Sequence, residues 1–350
     1  MSKAAELAAL IGSQSSLSNR NLIINGAMQV AQRGTSAFSI STAANTYTLD
    51  RWRANASGGG VFSVQQDSDS PTGFIESSKI TVTTADSSIG SSDFYHFRQT
   101  IEGYNFSSLG YGASDAKTMT ISFYVKSSVT GVYNVLFRNN AGNRGYLTTY
   151  TINSANTWER KTITVEGDVT GTWPTDNTGS LIISYSFGGN ATATINQWGT
   201  AIDEKSSGTV DLIATLNATW QITGVQLELG EQATPFEHRS YGDELARCQR
   251  YYYENPAFTG VGLGSSAIAR ATATHPTSMR ASPSLTIVGS PEAFDGFVAL
   301  VVTGVSANYS NTILFNADLS NTGSGSSGRA VCVAANLYTS SNKIKVDAEL

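Results

Sequence analysis

Few side chains in this sequence have the type and spacing that metal or cofactor chemistry requires. The three histidines, His96, His238 and His275, lie far apart and lack the spacing of metal ligands. The two cysteines, Cys248 and Cys332, are too few for a cysteine-based zinc site, and the sequence leaves open whether they pair. We therefore predict no metal site and no cofactor.

The acidic residues form no recognisable catalytic pair. Hydrolysis of a polysaccharide needs two carboxyl groups, one acting as an acid and the other as a base or nucleophile. Most acids here lie in expected turns or at a helix start, where solvent exposure or capping accounts for them: Asp67, Asp69, Asp115, Asp203, Glu204, Asp243 and Glu244. The sequence also lacks a nucleophile elbow, a phosphate-binding loop and a dinucleotide fingerprint. We expect recognition without turnover, although distant acids that converge in the fold would make a glycosidase.

Residues suited to recognition occur in the last part of the chain. Aromatic rings give rigid contact area while small polar side chains adapt their hydrogen bonds, and this combination suits sugars. The candidate receptor-binding residues lie near expected turns: Asn308, Tyr309, Asn311, Asn321 and Tyr338. Turn and strand propensity also account for each of them singly, so their role is a hypothesis.

Composition limits the partners further. Of 350 residues only 14% are charged, with a formal net charge of −5 and no cluster of lysine or arginine. Such a chain lacks the basic surface that a nucleic-acid backbone requires, and its low charge fits a neutral glycan. No apolar run approaches the roughly 20 residues of a membrane helix. Glu6 interrupts the first apolar stretch, so we expect neither membrane insertion nor a signal peptide.

The elements that must position these residues are mainly β-strands. At 118–126, Met119, Ile121, Phe123 and Val125 alternate with polar residues, as a half-buried strand requires. Similar segments lie at 79–84, 132–138, 158–166, 180–187 and 220–229, with Gly and Asn turns between them. Without helices to connect parallel strands, the sequence predicts an all-β fold whose main domain, residues 20–239, is an antiparallel jelly-roll β-sandwich.

All five tryptophans fall within this domain: Trp52, Trp158, Trp173, Trp198 and Trp220. Trp158 and Trp220 each begin a predicted strand. We expect them to pack in the core or at a sheet edge, with ligand stacking as the lesser alternative.

Three further regions flank the sandwich. Residues 1–19 place Leu7, Leu10 and Ile11 at helical spacing and predict a short helix and linker for assembly or attachment. Residues 240–255 predict a connecting helix, because acids lead and arginines trail it. Leu245, Cys248 and Tyr252 share one face of this helix, which we expect to pack on the sandwich. Residues 256–350 predict a second, smaller β domain, with apolar strands at 297–302 and 330–335, which forms the distal receptor-binding tip.

Several segments resemble known families. Residues 21–28 (NLIINGAM), 122–128 (SFYVKSS) and 222–230 (ITGVQLELG) are similar to the opening, middle and closing strands of jelly-roll carbohydrate-binding modules. Further segments are VAQRG at 30–34, LDRW at 49–52, WERK at 158–161, GDVTGTW at 167–173, ATPFEHRS at 233–240 and ELARCQRYY at 244–252. The whole set, over about residues 20–253, resembles tail fibre or receptor-binding proteins of tailed, especially marine, bacteriophages.

The resemblance implies a virion protein of the phage tail, and the missing catalytic residues make us expect a non-catalytic one. It implies a homotrimer that attaches through its N-terminal segment to a tail, baseplate or adaptor protein and presents its C-terminal end to host surface polysaccharide. Modules of this type often hold a structural calcium, for which Asn25 and Asp50 are conceivable ligands, although no carboxylate cluster surrounds them. A tail polysaccharide depolymerase and a capsid or head decoration protein are the alternatives.

Overall fold

The structure, a computed structural model, describes the chain from residue 20 to residue 350 with gaps. The described residues are 20–42, 45–189, 195–200, 205–254, 258–262, 268–289, 292–294, 299–310, 314–321, 330–333 and 343–350. Of residues 258–262, 268–273, 292–294, 299–310, 314–321 and 330–333 only the backbone is described. The helix expected over residues 1–19 lies outside the described residues. The chain divides between Arg239 and Ser240 into two compact units.

Thirteen strands are described in the first unit. They are β1 (Phe38–Ile40), β2 (Asn45–Tyr47), β3 (Trp52–Ala56), β4 (Val61–Asp67), β5 (Ser77–Thr84), β6 (Phe94–Glu102), β7 (Met119–Ser127), β8 (Gly131–Asn139), β9 (Gly145–Ile152), β10 (Glu159–Val165), β11 (Gly179–Gly189), β12 (Trp198–Gly199) and β13 (Thr219–Leu229). A single helical turn, α1 (Gly103–Phe106), follows β6, and short 3-10 helices lie at Ser107–Leu109 and Leu212–Ala214.

These strands form two antiparallel sheets, as an all-β jelly-roll sandwich requires. A six-stranded sheet has the order β1-β4-β5-β13-β7-β10, and a seven-stranded sheet has the order β12-β9-β8-β11-β6-β3-β2. Strands distant in sequence therefore lie side by side, such as β5 beside β13 and β6 beside β11. The antiparallel sandwich predicted from alternation is confirmed.

The core lies between the two sheets. The alternating residues of β7, Met119, Ile121, Phe123 and Val125, are completely buried, as the sequence predicted. Aromatic rings fill the middle of the sandwich: Trp52 stacks on Phe97 with ring centroids 4.9 Å apart. Large aromatic side chains contribute much of the apolar area that stabilises such a core.

Two segments, residues 21–33 and 225–239, join the beginning and end of the sandwich, and we call them, together with Gln99 of β6, the clasp. Buried Gln99 of β6 accepts a hydrogen bond from the Ile24 N–H (3.0 Å) and donates to the Ile24 carbonyl (2.8 Å). The Asn21 amide donates to the Val225 carbonyl (3.1 Å), and its Oδ1 accepts from the Leu227 N–H (3.1 Å). Buried amides thus satisfy backbone groups that would otherwise lack partners.

Charged residues close the clasp from its C-terminal side. Glu237 accepts a hydrogen bond from the Asn21 N–H (2.8 Å), and Arg239 donates to the Ile23 carbonyl (3.0 Å). A Cβ atom at Gly26 would lie 2.1 Å from the Val225 carbonyl oxygen, so this close approach requires glycine. The segments NLIINGAM and ATPFEHRS, which carry much of the family resemblance, therefore meet in one partly buried polar contact.

The two conceivable calcium ligands belong to the same region. The Asn25 Oδ1 accepts from the Val30 N–H (3.0 Å), and Asp50 accepts from the backbone N–H (2.7 Å) and side-chain amide (2.6 Å) of Gln32. The Arg33 guanidinium lies 3.8 Å from the Asp50 carboxylate. These oxygens brace the loop between residues 25 and 33. Among the described residues no three His, Cys, Asp or Glu side chains are grouped so that they could hold a metal ion.

The second unit begins with helix α2 (Tyr241–Gln249). Ser240 caps it, because its hydroxyl accepts from the Asp243 N–H (3.2 Å), and the acidic residues of the first turn suit the helix dipole. The helix is shorter than predicted, since Tyr252 and Tyr253 lie in the following strand, β14 (Tyr252–Glu254). Consecutive buried aromatics favour a strand here over another helical turn.

Eight more strands are described after β14. They are β15 (Phe258–Gly262), β16 (Ile268–Thr274), β17 (Ser284–Val288), β18 (Glu292–Phe294), β19 (Ala299–Ser310), β20 (Leu314–Asn321), β21 (Ala330–Val333) and β22 (Lys343–Asp347). Strands β14, β22 and β17 form one antiparallel sheet, and β15-β16-β20-β19-β18-β21 close into a ring. No helix in the described part of the chain is long and apolar enough to cross a membrane.

Candidate functional site

The predicted receptor-binding residues are only partly described. Asn308 and Tyr309 lie in β19 and Asn321 ends β20, whereas Asn311 and Tyr338 lie outside the described residues. Tyr309 pairs with Asn316 near the turn of the β19–β20 hairpin, while Asn321 pairs with Val302. At about 3.3 Å per residue, Tyr309 and Asn321 are roughly 20 Å apart along the strands. The hairpin therefore does not bring these two positions together.

The tryptophans separate into core and edge residues. Trp52, Trp173 and Trp220 are buried in the sandwich core. Trp158 lies at the edge of the six-stranded sheet, where its indole N–H donates to Asp69 (3.1 Å) and the Lys126 ammonium lies 5.2 Å from a ring centroid. Trp198 is half-buried in β12, at the edge of the seven-stranded sheet.

Near Trp198 the surface opens into a groove of about 510 Å³, which we call the edge groove. Six residues from both sheets and their connections line it: Thr118, Tyr146, Thr164, Glu166, Asn196 and Glu231. Residues with hydroxyl, amide and carboxylate side chains therefore surround one open space. Ligand sites are usually concave and combine apolar or aromatic lining with a few convergent polar groups; here Tyr146 is the aromatic residue and the other five are polar.

Rings form a rigid support behind the groove. Trp198 pairs with Tyr146 across β12 and β9, and their ring centroids are 5.4 Å apart. Tyr111 and Trp173 meet Trp198 nearly perpendicularly, at 5.6 and 5.5 Å. Edge-to-face contacts of this kind fix the orientation of each ring. The Trp198 ring is thus held beside the groove by three aromatic neighbours.

The same rings position Glu166, which directly follows β10. The Trp198 indole N–H donates to the Glu166 backbone carbonyl (2.7 Å), and the Tyr111 hydroxyl donates to the same oxygen (3.4 Å). These bonds hold the backbone of Glu166, while its exposed carboxylate lines the groove.

Asn196 is placed by a left-handed backbone conformation (φ 61°), which asparagine tolerates better than most residues. Its N–H donates to the Leu147 carbonyl (2.8 Å), and its Oδ1 accepts from the Thr148 hydroxyl (2.8 Å). Because Oδ1 is engaged, the group that the exposed Asn196 side chain offers to a ligand is its Nδ2 donor.

Glu231 follows the end of β13 through Gly230 (φ 106°). The Thr120 hydroxyl donates to the Gly230 carbonyl (2.7 Å), and the Thr164 hydroxyl donates to the Glu231 carbonyl (3.4 Å). The chain is thus fixed and the Glu231 side chain is exposed. Among the described contacts, neither the Glu166 nor the Glu231 carboxylate has an ion pair or a side-chain hydrogen bond.

The charged residues that line the edge groove are acidic. Among the described residues that line it, two are acidic and none is lysine, arginine or histidine. Burial, and secondly the negative charge of Glu166, raises the pKa of Tyr146. The hydroxyl of Tyr146 therefore remains protonated at neutral pH and can donate a hydrogen bond.

The outer face of the seven-stranded sheet carries a different polar cluster. His96 is fully buried there, and burial, with the charges of Arg98, Arg138 and Arg53, holds its pKa well below the usual range. Each of these four side chains makes further interactions. This cluster is engaged within the chain, whereas the edge groove is open.

Sequence reasoning did not single out the edge groove. Its six members come from five separate places between residues 118 and 231, and no motif links them. Trp198, which packs beside the groove, was noted only as one of the five tryptophans of the domain.

No family model and no curated protein matches this chain. Among solved structures, the enzymatically active domain of bacteriophage CBA120 tailspike protein 4 has a TM-score of 0.34 at 15% identity over 60% of this chain, which spans 22% of that chain. The family 11 carbohydrate-binding module of the Clostridium thermocellum cellulase Lic26A-Cel5E has a TM-score of 0.29 at 11% identity, covering 58% of this chain and 99% of that one. TmCBM61, solved with β-1,4-galactotriose, has a TM-score of 0.30 at 11% identity, covering 60% and 99%. TM-scores of this size carry no conclusion about ligand or activity.

Proposed function

We propose that this chain is a non-catalytic adhesin of a bacteriophage tail fibre that binds a glycan of the host surface, and that the edge groove is a sugar contact. The observation that carries this proposal is the convergence of an exposed amide, two exposed carboxylates and two hydroxyl-bearing threonines beside a braced Trp198–Tyr146 pair. No sequence motif demands that arrangement.

The arrangement fits the chemistry of a sugar. A sugar ring presents C–H groups on its faces, which pack on aromatic rings, and hydroxyl groups at its rim, which both donate and accept hydrogen bonds. The edge groove supplies acceptors from Glu166 and Glu231 and a donor from Asn196. Pre-positioned rings and polar groups lower the entropy lost on binding.

The absence of catalysis is part of the proposal. A glycosidase acid must be protonated near neutral pH, which requires burial or a neighbouring charge that raises its pKa. Glu166 and Glu231 are both exposed, and no described side chain orients either carboxylate. A ligand-binding role suits them better.

A polysaccharide depolymerase is the second candidate, because two glutamates do line one groove. Incubation with host envelope polysaccharide discriminates between the two functions. A binder leaves the number of reducing ends unchanged, whereas a depolymerase produces new ends that Glu166→Gln or Glu231→Gln removes.

The tail-fibre role is supported by the sequence resemblance. We propose a homotrimer in the virion tail that attaches through its N-terminal segment to a tail, baseplate or adaptor protein. Several weak sites then engage one surface, and avidity rises about 10² to 10⁴-fold. A monomer at micromolar concentration in light scattering contradicts this assembly. Antibody labelling of whole particles separates a tail fibre from a head decoration protein.

The residues after 255 are proposed as a second, distal contact that includes Asn308, Tyr309, Asn311, Asn321 and Tyr338. Deletion of residues 256–350 tests this part of the proposal. Loss of host-cell binding supports a distal contact. Retained binding means that the sandwich alone recognises the host surface.

A matched pair of tryptophan variants tests the edge groove directly. Trp198→Ala removes the ring beside the groove, and we expect at least a tenfold loss of affinity for host polysaccharide. Trp158→Ala removes a half-buried edge tryptophan elsewhere and should leave affinity unchanged. Both variants are compared on a glycan array and by calorimetry, with folding checked by circular dichroism. Equal affinities for the two variants contradict the assignment.

A further inference from the structure

We infer that a row of four register positions across strands β15, β16, β20 and β19 binds a neutral oligosaccharide. The row, which we call the ring row, consists of Thr259, Thr272, Asn316 and Tyr309. This inference rests on the proposed function, because it specifies where the distal contact lies and which class of glycan it takes. It adds residues that the sequence did not indicate, Asn316 among them, and leaves Asn321 out.

Strand pairing aligns the ring row. Thr259 pairs with Thr272, Thr272 pairs with Asn316, and Asn316 pairs with Tyr309. Residues that pair directly in an antiparallel sheet share one face of it. With neighbouring strands about 4.8 Å apart, the four positions extend over roughly 14 Å. An aromatic residue, an amide and two hydroxyl residues therefore follow one line across the sheet, which has the length of a short oligosaccharide.

A β-bulge in β19 sets the position of Tyr309. The register of β19 on β20 shifts by one residue between Ala307 and Tyr309, so Asn308 is an extra residue. Without that residue Tyr309 would pair with Phe315 instead of Asn316. A slip of one residue moves a side chain to the other face of the sheet, and bulges often redirect a side chain beside a functional site. The backbone thus supplies an observation, separate from residue composition, that places an aromatic residue in the ring row.

The two faces of this part of the ring differ in residue type. One position along each strand, the paired residues of the opposite face are all glycine or alanine: Gly260, Ala271, Ala317 and Ala307. These residues bring neither a polar side chain nor an aromatic ring. At this level of the ring, the residue types that suit sugars are therefore those of the ring row.

The neighbouring row on the same face carries no net formal charge. Two positions along the strands, Arg270 pairs with Asp318, and Asp318 pairs with Ser306. Opposite charges at directly paired positions stabilise an antiparallel pair, and their formal charges cancel here. The ring row itself contains no charged residue. Neither row attracts an acidic saccharide, so the ligand class that fits is a neutral glycan.

Alanine variants of the intact protein test the ring row, with purified host polysaccharide as the probe in calorimetry. Tyr309→Ala should lower affinity about tenfold, because a tyrosine within a contact often contributes a large share of the binding energy. Asn316→Ala should lower it about fivefold through lost hydrogen bonds. Asn321→Ala is the matched control, since Asn321 lies at the other end of β20 and pairs with Val302. This control should keep wild-type affinity.

The ligand class is tested in the Trp198→Ala background, where the edge groove contributes least. Neutral tetrasaccharides released from the host polysaccharide should bind. The same tetrasaccharides, after oxidation of their primary hydroxyl groups to carboxylates, should bind about tenfold more weakly, because a carboxylate loses hydration without gaining net positive charge. Equal or tighter binding of the oxidised form contradicts a neutral ligand.

Deletion of Asn308 tests the role of the bulge. Tyr309 then takes the register of Phe315, so affinity should fall as far as in Tyr309→Ala although the tyrosine is still present. Hydrogen–deuterium exchange of the wild type is independent of how any variant folds. Host polysaccharide should protect peptides that contain residues 268–274 and 314–318, with unchanged exchange in β17 (Ser284–Val288).

The outcomes separate failure of the inference from failure of the function. Equal affinities of Tyr309→Ala, Asn316→Ala and Asn321→Ala overturn the inference, as does full affinity after deletion of Asn308 or missing protection at residues 268–274. In each of these cases a loss of affinity in Trp198→Ala leaves the glycan-binding function standing. Failure of the wild type to bind host polysaccharide overturns the proposed function itself.

Discussion

The clasp and the edge groove are built from the same kinds of side chain but use them in opposite ways. In the clasp, Gln99, Asn21 and Glu237 are engaged by backbone groups at 2.8 to 3.1 Å. In the edge groove, Glu166 and Glu231 are exposed, and their carboxylates lack described partners. Polar groups that satisfy one another stabilise a fold, whereas polar groups left facing solvent remain available to a ligand.

This difference explains why the segments that resemble known families indicate the fold of the chain and do not indicate its ligand. The segments NLIINGAM and ATPFEHRS hold the two ends of the sandwich together through partly buried polar contacts. They therefore indicate a shared architecture. The residues of the edge groove belong to no such motif.

The largest expected effect on stability comes from breaking the clasp. Gln99→Ala leaves both the N–H and the carbonyl of Ile24 buried without a partner, so we expect a loss of about 2 to 4 kcal/mol in the free energy of unfolding. Chemical denaturation measures it. Gln65→Ala, in β4 and without a described side-chain hydrogen bond, is the control and should cost less than about 0.5 kcal/mol. Glycan affinity of folded Gln99→Ala should equal that of the wild type. A loss of affinity would mean that the clasp also contributes to glycan binding.

A smaller effect, on binding, is expected from the groove amide. Asn196→Gly removes the Nδ2 donor but keeps the left-handed backbone, because glycine adopts positive φ freely. Loss of one hydrogen bond should lower glycan affinity about fivefold, measured by calorimetry. Asn156→Gly is the matched control, since Asn156 is also exposed at positive φ (54°). Equal affinity for both variants would remove Asn196 from the site.

The smallest effect concerns two carboxylates at the ends of β10. Glu159 accepts hydrogen bonds from Lys161 and from Asn153 and Ser154, and although burial opposes them, these bonds lower its pKa to about 2 from 4.5. A lowered pKa stabilises the fold at pH values above the unfolded-state pKa, and this contribution disappears as pH falls from about 4.5 towards 2. The Tm advantage of wild type over Glu159→Gln should be a few degrees at most at pH 6 and vanish near pH 2.

Glu166→Gln is the control for that series. Because its carboxylate has no partner in the described residues, the substitution should leave Tm unchanged at pH 6. A Tm loss as large as that of Glu159→Gln would mean that Glu166 is structurally engaged, which would weaken its assignment to a ligand.

The strands were predictable because their signal is local. Alternation at residues 118–126 predicts β7, whose apolar residues are indeed buried. The helix after Ser240 was predicted too long because Tyr252 lies at helical spacing from Leu245 and Cys248, whereas its pairing with Asp347 favours a strand. That pairing joins residues nearly one hundred positions apart, which local periodicity does not encode.

The edge groove was not predictable for the same reason. Tyr146 and Trp198 meet only because β9 and β12 pair, and Glu231 reaches them only because β13 and β10 flank β7. Spacing in the sequence gives no hint of this convergence, while Asn25 and Asp50 had suggestive residue types and prove to brace a loop.

Hydrogen–deuterium exchange of the intact protein, with and without saturating host polysaccharide, tests the central claim most directly. The account predicts ligand-dependent protection in peptides that contain Tyr146, Glu166, Trp198 and Glu231, with unchanged exchange at residues 21–33. Protection confined to residues 256–350, or no protection anywhere while binding is measured, would contradict a sugar contact at the edge of the sandwich.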